Sequence, residues 1–238
     1  MVGLAGIRRG RKWGRWVALA LLLPVLIALG TGWVLSAPGY DGEVMPHFDG
    51  VRFSNMEATP AHGFAAFLKW RITREAGDWT PAQDGSEGTR EAPIQRVSGD
   101  RLRVTHITHS TVLIQVAGLN VLTDPIWSER SSPVSWAGPR RVSAPGVAFE
   151  DLPPIDVVLI SHNHYDHLDL PTLQRLAKRD RPRILVGLGN GRLLQREDIS
   201  ASEELDWWAG VDLGAGVRAT FVPAQHFSGR GLGDRNKA

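Results

Sequence analysis

The longest apolar stretch of the chain runs from Trp16 to Leu35, 20 positions without a charge. At about 1.5 Å rise per residue, a helix of that length matches a bilayer core of roughly 30 Å. Trp13, Trp16 and Trp33 lie near its ends, where interfacial aromatics collect. Residues 36–60 are rich in Pro and Gly and show no period, the pattern of a linker. From His62 to Gly77, Phe64, Phe67, Leu68 and Ile72 recur at helical spacing, which predicts an amphipathic helix. Thr80 to Pro93 reads as a loop. Strands are predicted at Leu102–Thr105, Thr111–Val116 and Val121–Thr123, the last two joined by a turn over Ala117–Asn120. Residues 125–154 carry six prolines and form a long loop, a length that compact domains usually reserve for function.

The second half has a different texture. Asp156–Ser161 is a short apolar run, as expected of a strand buried on both faces. Asp169 is placed to cap a helix with Pro171 in its first turn and Leu173, Leu176 and Ala177 on one face. Arg183–Leu188 predicts another buried strand and Asn190–Glu197 a short helix. Glu203, Glu204 and Asp206 read as a solvated helix face. Val217–His226 alternates and ends at a histidine. Strands and helices interleave, so the fold class is α/β.

Charge changes the picture at one end only. Of 27 basic residues, Arg8, Arg9, Arg11, Lys12 and Arg15 precede the apolar stretch, leaving 22 bases against 25 acids in the remainder. The net charge of +2 is therefore no sign of nucleic-acid binding, and no basic stripe interleaved with aromatics is present. The same five bases favour a cytoplasmic N-terminus by the positive-inside rule. Residues 1–15 are then a basic cytoplasmic segment and 16–35 a single transmembrane anchor. In a bacterium, the rest would lie on the extracytoplasmic side of the inner membrane. The alternative is a cleaved signal peptide and a secreted protein, although Leu35-Ser36-Ala37 is a poor cleavage site. Residues 36–95 form the linker and an N-terminal extension with one helix, and 96–238 the main domain.

The chain has no cysteine. Disulfides, thiolate metal sites and a lipoprotein anchor are excluded, and any metal site must use His, Asp and Glu. Such residues are concentrated directly after the first buried strand, in "SHNHYDHLD" (Ser161–Asp169). In an extended segment, i and i+2 project to the same side, so His162 and His164 can grip one ion together. Asp166 and His167 lie further on and can grip a second. Imidazoles and carboxylates suit zinc, with iron or manganese as alternatives. Two ions about 3.5–4 Å apart polarise a substrate oxygen and stabilise the attacking and leaving oxygens. That chemistry hydrolyses phosphodiesters, esters or amides.

H-x-H-x-D-H after a hydrophobic strand resembles the signature of the metallo-β-lactamase fold. The segments Thr108–Arg141, "LISHNHYDHLD", "FVPAQHFSGR" (Phe221–Arg230) and "HFDGVRFSN" (His47–Asn55) resemble the branch of N-acyl-phosphatidylethanolamine-hydrolysing phospholipase D. The resemblance implies a four-layer α/β–β/α sandwich. It implies that His162, His164 and His226 hold a first zinc. Asp166 and His167 would hold a second, with Asp166 also orienting the nucleophilic water. Asp124 would brace the metal loop, and His109 is a further candidate for such a supporting role. The implied substrate is a small molecule or lipid, a phospholipid phosphodiester above all, with a lactone or other ester as the alternative.

The resemblance also implies a bridging Asp and a final His beyond His226. Only 12 residues follow it, and their one acid, Asp234, has no strand before it. The expectation is therefore a fold whose second half is largely missing, with one zinc or an incomplete pair. A catalytically inactive, membrane-tethered remnant or binding protein is the rival reading.

Overall fold

The computed structural model describes residues 4–58, 63–75, 77, 92–199 and 202–238; the side chains of residues 4–15, 17–19 and 64 are outside that description. Helix α1 spans Leu4–Val34 and contains Pro24. The apolar run at 16–35 falls on it. Among the described residues no helix is long and apolar enough to cross a membrane. Helix α2 spans Phe64–Thr73, shorter than the predicted 62–77. The start of that stretch at His62, and most of the predicted loop at 80–93, lie outside the described residues. The expected buried face is not formed, because Phe67, Leu68, Trp70 and Ile72 are all exposed.

The centre of the molecule is a six-stranded sheet in the order β1-β2-β3-β4-β5-β6. Its strands are β1 (Leu102–Thr108), β2 (Thr111–Val116), β3 (Leu119–Thr123), β4 (Val157–Leu159), β5 (Arg183–Gly187) and β6 (Ser202–Leu205). The first three form an antiparallel meander and the last three continue it in parallel. The turn between β2 and β3 is tighter than the predicted four residues. Ala117 (φ 50°) and Gly118 (φ 82°) make a two-residue turn whose positive φ values match the twist of the hairpin. Leu119 and Asn120 are already paired with Val116 and Gln115.

Helices α3 (Leu170–Arg179) and α4 (Gly191–Arg196) cover one face. There Leu113, Leu122, Val158, Ile160, Ile184 and Val186 meet Leu173, Leu176, Leu193 and Leu194, all buried. Asp169 stands at the N-cap of α3 but makes no capping bond. Its carboxylate accepts instead from Trp127 N, Ser128 N, Ser128 Oγ and Thr172 Oγ1. It thereby pins the start of the Pro-rich loop, which contains one 3-10 turn at Phe149–Asp151.

The opposite face, with Val121, Val157 and Leu185, packs against Val211, Leu213 and Ala219. These belong to an antiparallel hairpin of β7 (Gly210–Gly214) and β8 (Val217–Thr220). Among the described residues the layers are thus helix, sheet and hairpin, an α/β fold with three of the four layers expected. Two sequence expectations are corrected. Glu203 and Glu204 lie on β6, not on a helix. Strand β8 ends at Thr220, so His226 lies on a loop six residues later. Pro223 lacks the N–H a strand would need to continue.

Candidate metal centre

The parallel strands β3 and β4 end side by side, the position where α/β sheets present ligands. Asp124 is the first residue past β3, and Ser161–His167 follow β4. Asp124 has φ 36°, in the left-handed region that non-glycine residues rarely occupy. The turn aims its carboxylate, which is buried, at the histidine loop. Its Oδ1 accepts from Ser161 N at 2.7 Å, and its Oδ2 from Ser161 Oγ at 2.8 Å. Its Oδ2 also lies 2.8 Å from His167 Nδ1.

His109, in the turn between β1 and β2, has φ 43°. Thr111 Oγ1 donates to Asp124 O and Thr123 Oγ1 donates to Ser110 O, so this turn is bound to the end of β3. His109 Nε2 then lies 3.0 Å from Asp166 Oδ2.

Two donor groups result. His162, His164 and His226 bring one ligand atom each to within 4.8 Å of one another, and His109, Asp166 and His167 do the same. In the first group His162 Nε2 and His164 Nδ1 are 2.8 Å apart, and His226 Nε2 and His164 Nδ1 3.3 Å. Tetrahedral zinc with Zn–N of about 2.0–2.1 Å requires nitrogens roughly 3.3 Å apart. One of these spacings equals that value and the other is about 0.5 Å shorter, so the donor set suits a divalent ion.

The electrostatics agree with that use. Burial, followed by the neighbouring His167, His164 and His226, pushes the His162 pKa down to about 4. Burial and then His226 lower His164 as well. Both rings are thus held neutral, as ligands must be. His167 shifts the other way. Burial opposes its charge, but the hydrogen bond and charge of Asp124, with Asp166, outweigh burial and raise its pKa. Burial likewise works against ionised Asp166, yet His167 and His109 lower its pKa overall.

Every site residue singled out in the sequence lies in this cluster: His162, His164, Asp166, His167, His226, Asp124 and His109. The supporting hydroxyls were not singled out. Ser110 Oγ and Ser161 Oγ lie 3.1 and 3.4 Å from His167 Nδ1. Serine is too common for its type alone to carry a signal. His47, which had no assigned part, stacks on Trp207 at 4.3 Å and bonds Asp206 Oδ1 at 2.7 Å. The basic pair after Gly138 is taken up by its own loop: Arg141 donates to Ser128 O and Ile126 O, and Arg140 to Glu129. Asp234 is also occupied elsewhere, accepting from Ala37 N, Arg230 N and Gly231 N.

The cluster stands between two depressions. One, of about 460 Å³, is lined by His162, His167, His226, Trp207, Phe221 and Phe227. The other, of about 800 Å³, is lined by His109, His164 and Asp166 together with the Pro-rich loop.

A family model described as "Beta-lactamase superfamily domain" matches residues 119–238. The chain belongs to that family. An uncharacterized protein of Mycobacterium tuberculosis is 43% identical over 141 residues, covering 58% of this chain and 38% of that protein. N-acyl-phosphatidylethanolamine-hydrolyzing phospholipase D 1 of Caenorhabditis elegans is 34% identical over 160 residues, covering 60% and 45%. Among solved structures, CmlA, a diiron β-hydroxylase from Streptomyces venezuelae, is 29% identical with a TM-score of 0.36, covering 49% of this chain and 23% of its own. The matches span less than half the length of these relatives.

Proposed function

We propose that this chain carries the zinc-binding part of a hydrolase acting on phosphodiesters, with a phospholipid as the substrate class. The observation that carries the reading is the convergence of two donor groups at the ends of β3 and β4. In this reading His162, His164 and His226 hold one ion, and Asp166 and His167 lie at a second. His109 orients Asp166, and Asp124 orients His167. A divalent ion bound there would supply Lewis acidity and a water of lowered pKa. Asp166, whose ionised form His167 and His109 favour, would accept a hydrogen bond from that water and orient it. With its Nδ1–H directed at Asp124, His167 would offer Nε2 as the ligand atom, on the side of Asp166.

The lipid substrate class is supported by the likeness to the nematode phospholipase. The proposed membrane tether rests on the uncharged run 16–35 and on the exposed apolar side chains of α1, including Leu21, Leu23, Leu26, Ile27 and Val34.

The test is turnover. Metal-free chain reconstituted with zinc should hydrolyse an N-acyl-phosphatidylethanolamine or a chromogenic phosphodiester, and His164→Ala should abolish that activity. Zinc uptake without turnover on phosphodiester and lactone panels would instead support a binding protein.

A further inference from the structure

The histidine loop has two sides. His162, His164 and Asp166 point to the donor cluster. The alternate residues Asn163 and Tyr165 face a different part of the chain, the segment after His226. Asn163 is fully buried, and its Oδ1 accepts from Gly229 N at 2.8 Å. Arg230 Nη1 donates to two backbone carbonyls, Asn163 O at 2.9 Å and Leu168 O at 2.8 Å. These carbonyls bracket the loop. The Arg230 guanidinium carbon also lies 3.9 Å from the centre of the Tyr165 ring, where a cation is attracted to the ring face. One side chain therefore grips the loop at Asn163, Tyr165 and Leu168, none of which belongs to the donor cluster.

Arg230 is itself held. Asp234, which is buried, accepts from the Arg230 and Gly231 backbone N–H groups, and its Oδ2 also accepts from Ala37 N. The segment 226–230 thus supplies a histidine at one end and a clamp on the loop at the other. His226 lies on a loop, not on a strand, so no sheet ladder sets its distance from His162 and His164. That distance needs another determinant.

We infer that Arg230 is a positioning residue: by clamping the loop through Asn163 O and Leu168 O it sets the placement of His226 against His162 and His164. This rests on the metal reading above. A planar guanidinium can meet two carbonyls and a ring face at once, whereas a lysine ammonium is a point charge without a face to stack. The bonds also satisfy two carbonyls that would otherwise lose a partner. Simple support for folding would lower the stability of the metal-free chain without changing the affinity of the folded protein. Positioning alters the affinity and the ligand geometry themselves.

The experiment uses the full chain as wild type, Arg230→Ala and Arg230→Lys. Zinc affinity is read by chelator competition, cobalt geometry by the visible spectrum, and folding by urea unfolding of the metal-free protein. All metal readings are made where unfolding shows the variant to be folded. The inference predicts that Arg230→Ala binds zinc about tenfold or more weakly, the range for losing support of metal ligands. It also predicts a changed cobalt spectrum and partial recovery in Arg230→Lys. If Arg230→Ala does not fold, Arg230→Lys alone must show weaker binding and an altered spectrum. Folded variants with wild-type affinity and spectrum would overturn the clamp, even if they unfold at lower urea. Wild type that takes up no metal would overturn the metal reading, and the clamp with it.

Discussion

Replacing Asp124 by Asn removes one charge and exchanges one acceptor for a donor, with almost no change in shape. Asp124 is 6% exposed, so water cannot compensate for a mismatch. In the native arrangement Oδ1 accepts from Ser161 N and Oδ2 from Ser161 Oγ and His167 Nδ1. An asparagine can keep only one of these sides. With its oxygen toward Ser161 N, its NH2 meets His167 Nδ1, which must give up its proton and move it to Nε2. The ligand lone pair is then lost. With the amide flipped, NH2 faces the part-buried Ser161 N–H and leaves that donor without its acceptor. Losing a hydrogen bond to a charged group costs about 1.5–3 kcal/mol, and loss of a histidine's supporting partner weakens metal binding about 10–100-fold. Urea unfolding of the metal-free chain and zinc affinity by chelator competition measure the two effects separately. An Asp124→Asn protein with wild-type zinc affinity would refute the tautomer argument, whatever its stability.

Further expectations concern separate parts of the molecule. Removing His164 takes away the nitrogen 2.8 Å from His162 and 3.3 Å from His226, so His164→Ala should lose the first ion from the metal content measured after dialysis. Leu173 is fully buried between α3 and the sheet. Leu173→Ala should lower unfolding free energy by about 2–5 kcal/mol in urea, leaving the metal affinity of folded protein unchanged. Asp169→Ala removes the acceptor of Trp127 N, Ser128 N, Ser128 Oγ and Thr172 Oγ1. It should release the start of the Pro-rich loop, seen as faster amide exchange at Ser128 and faster proteolysis after Arg130.

The part of the donor cluster on the histidine loop was legible because His162, His164, Asp166 and His167 are close in sequence, whereas His226 and Asp124 were reached through the family resemblance. His162, His164 and Asp166 need only an extended segment after a strand. The strand itself, Val157–Leu159, was visible as an apolar run because both its faces are covered. What escaped notice depends on contacts between distant segments. β6 reads as polar because Glu203 pairs with Arg183 of β5 at 2.9 Å on the sheet's outermost strand. A periodicity argument has no access to that pairing. Asp169 has the residue type and place of an N-cap, but tertiary partners in the Pro-rich loop take its carboxylate instead. The exposed α2 shows the reverse: helical spacing of Phe67, Leu68 and Ile72 gives a helix without supplying a surface to cover them.

X-ray absorption at the zinc edge, with metal content on the same sample, tests the account most directly. The wild-type chain should retain zinc in a first shell of nitrogen and oxygen, with multiple scattering from about three imidazoles, the ligand count of such a site. The signal should collapse in His164→Ala. A chain that retains no zinc after dialysis, or binds it with oxygen ligands and no imidazole scattering, would contradict a metal centre at His162, His164 and His226.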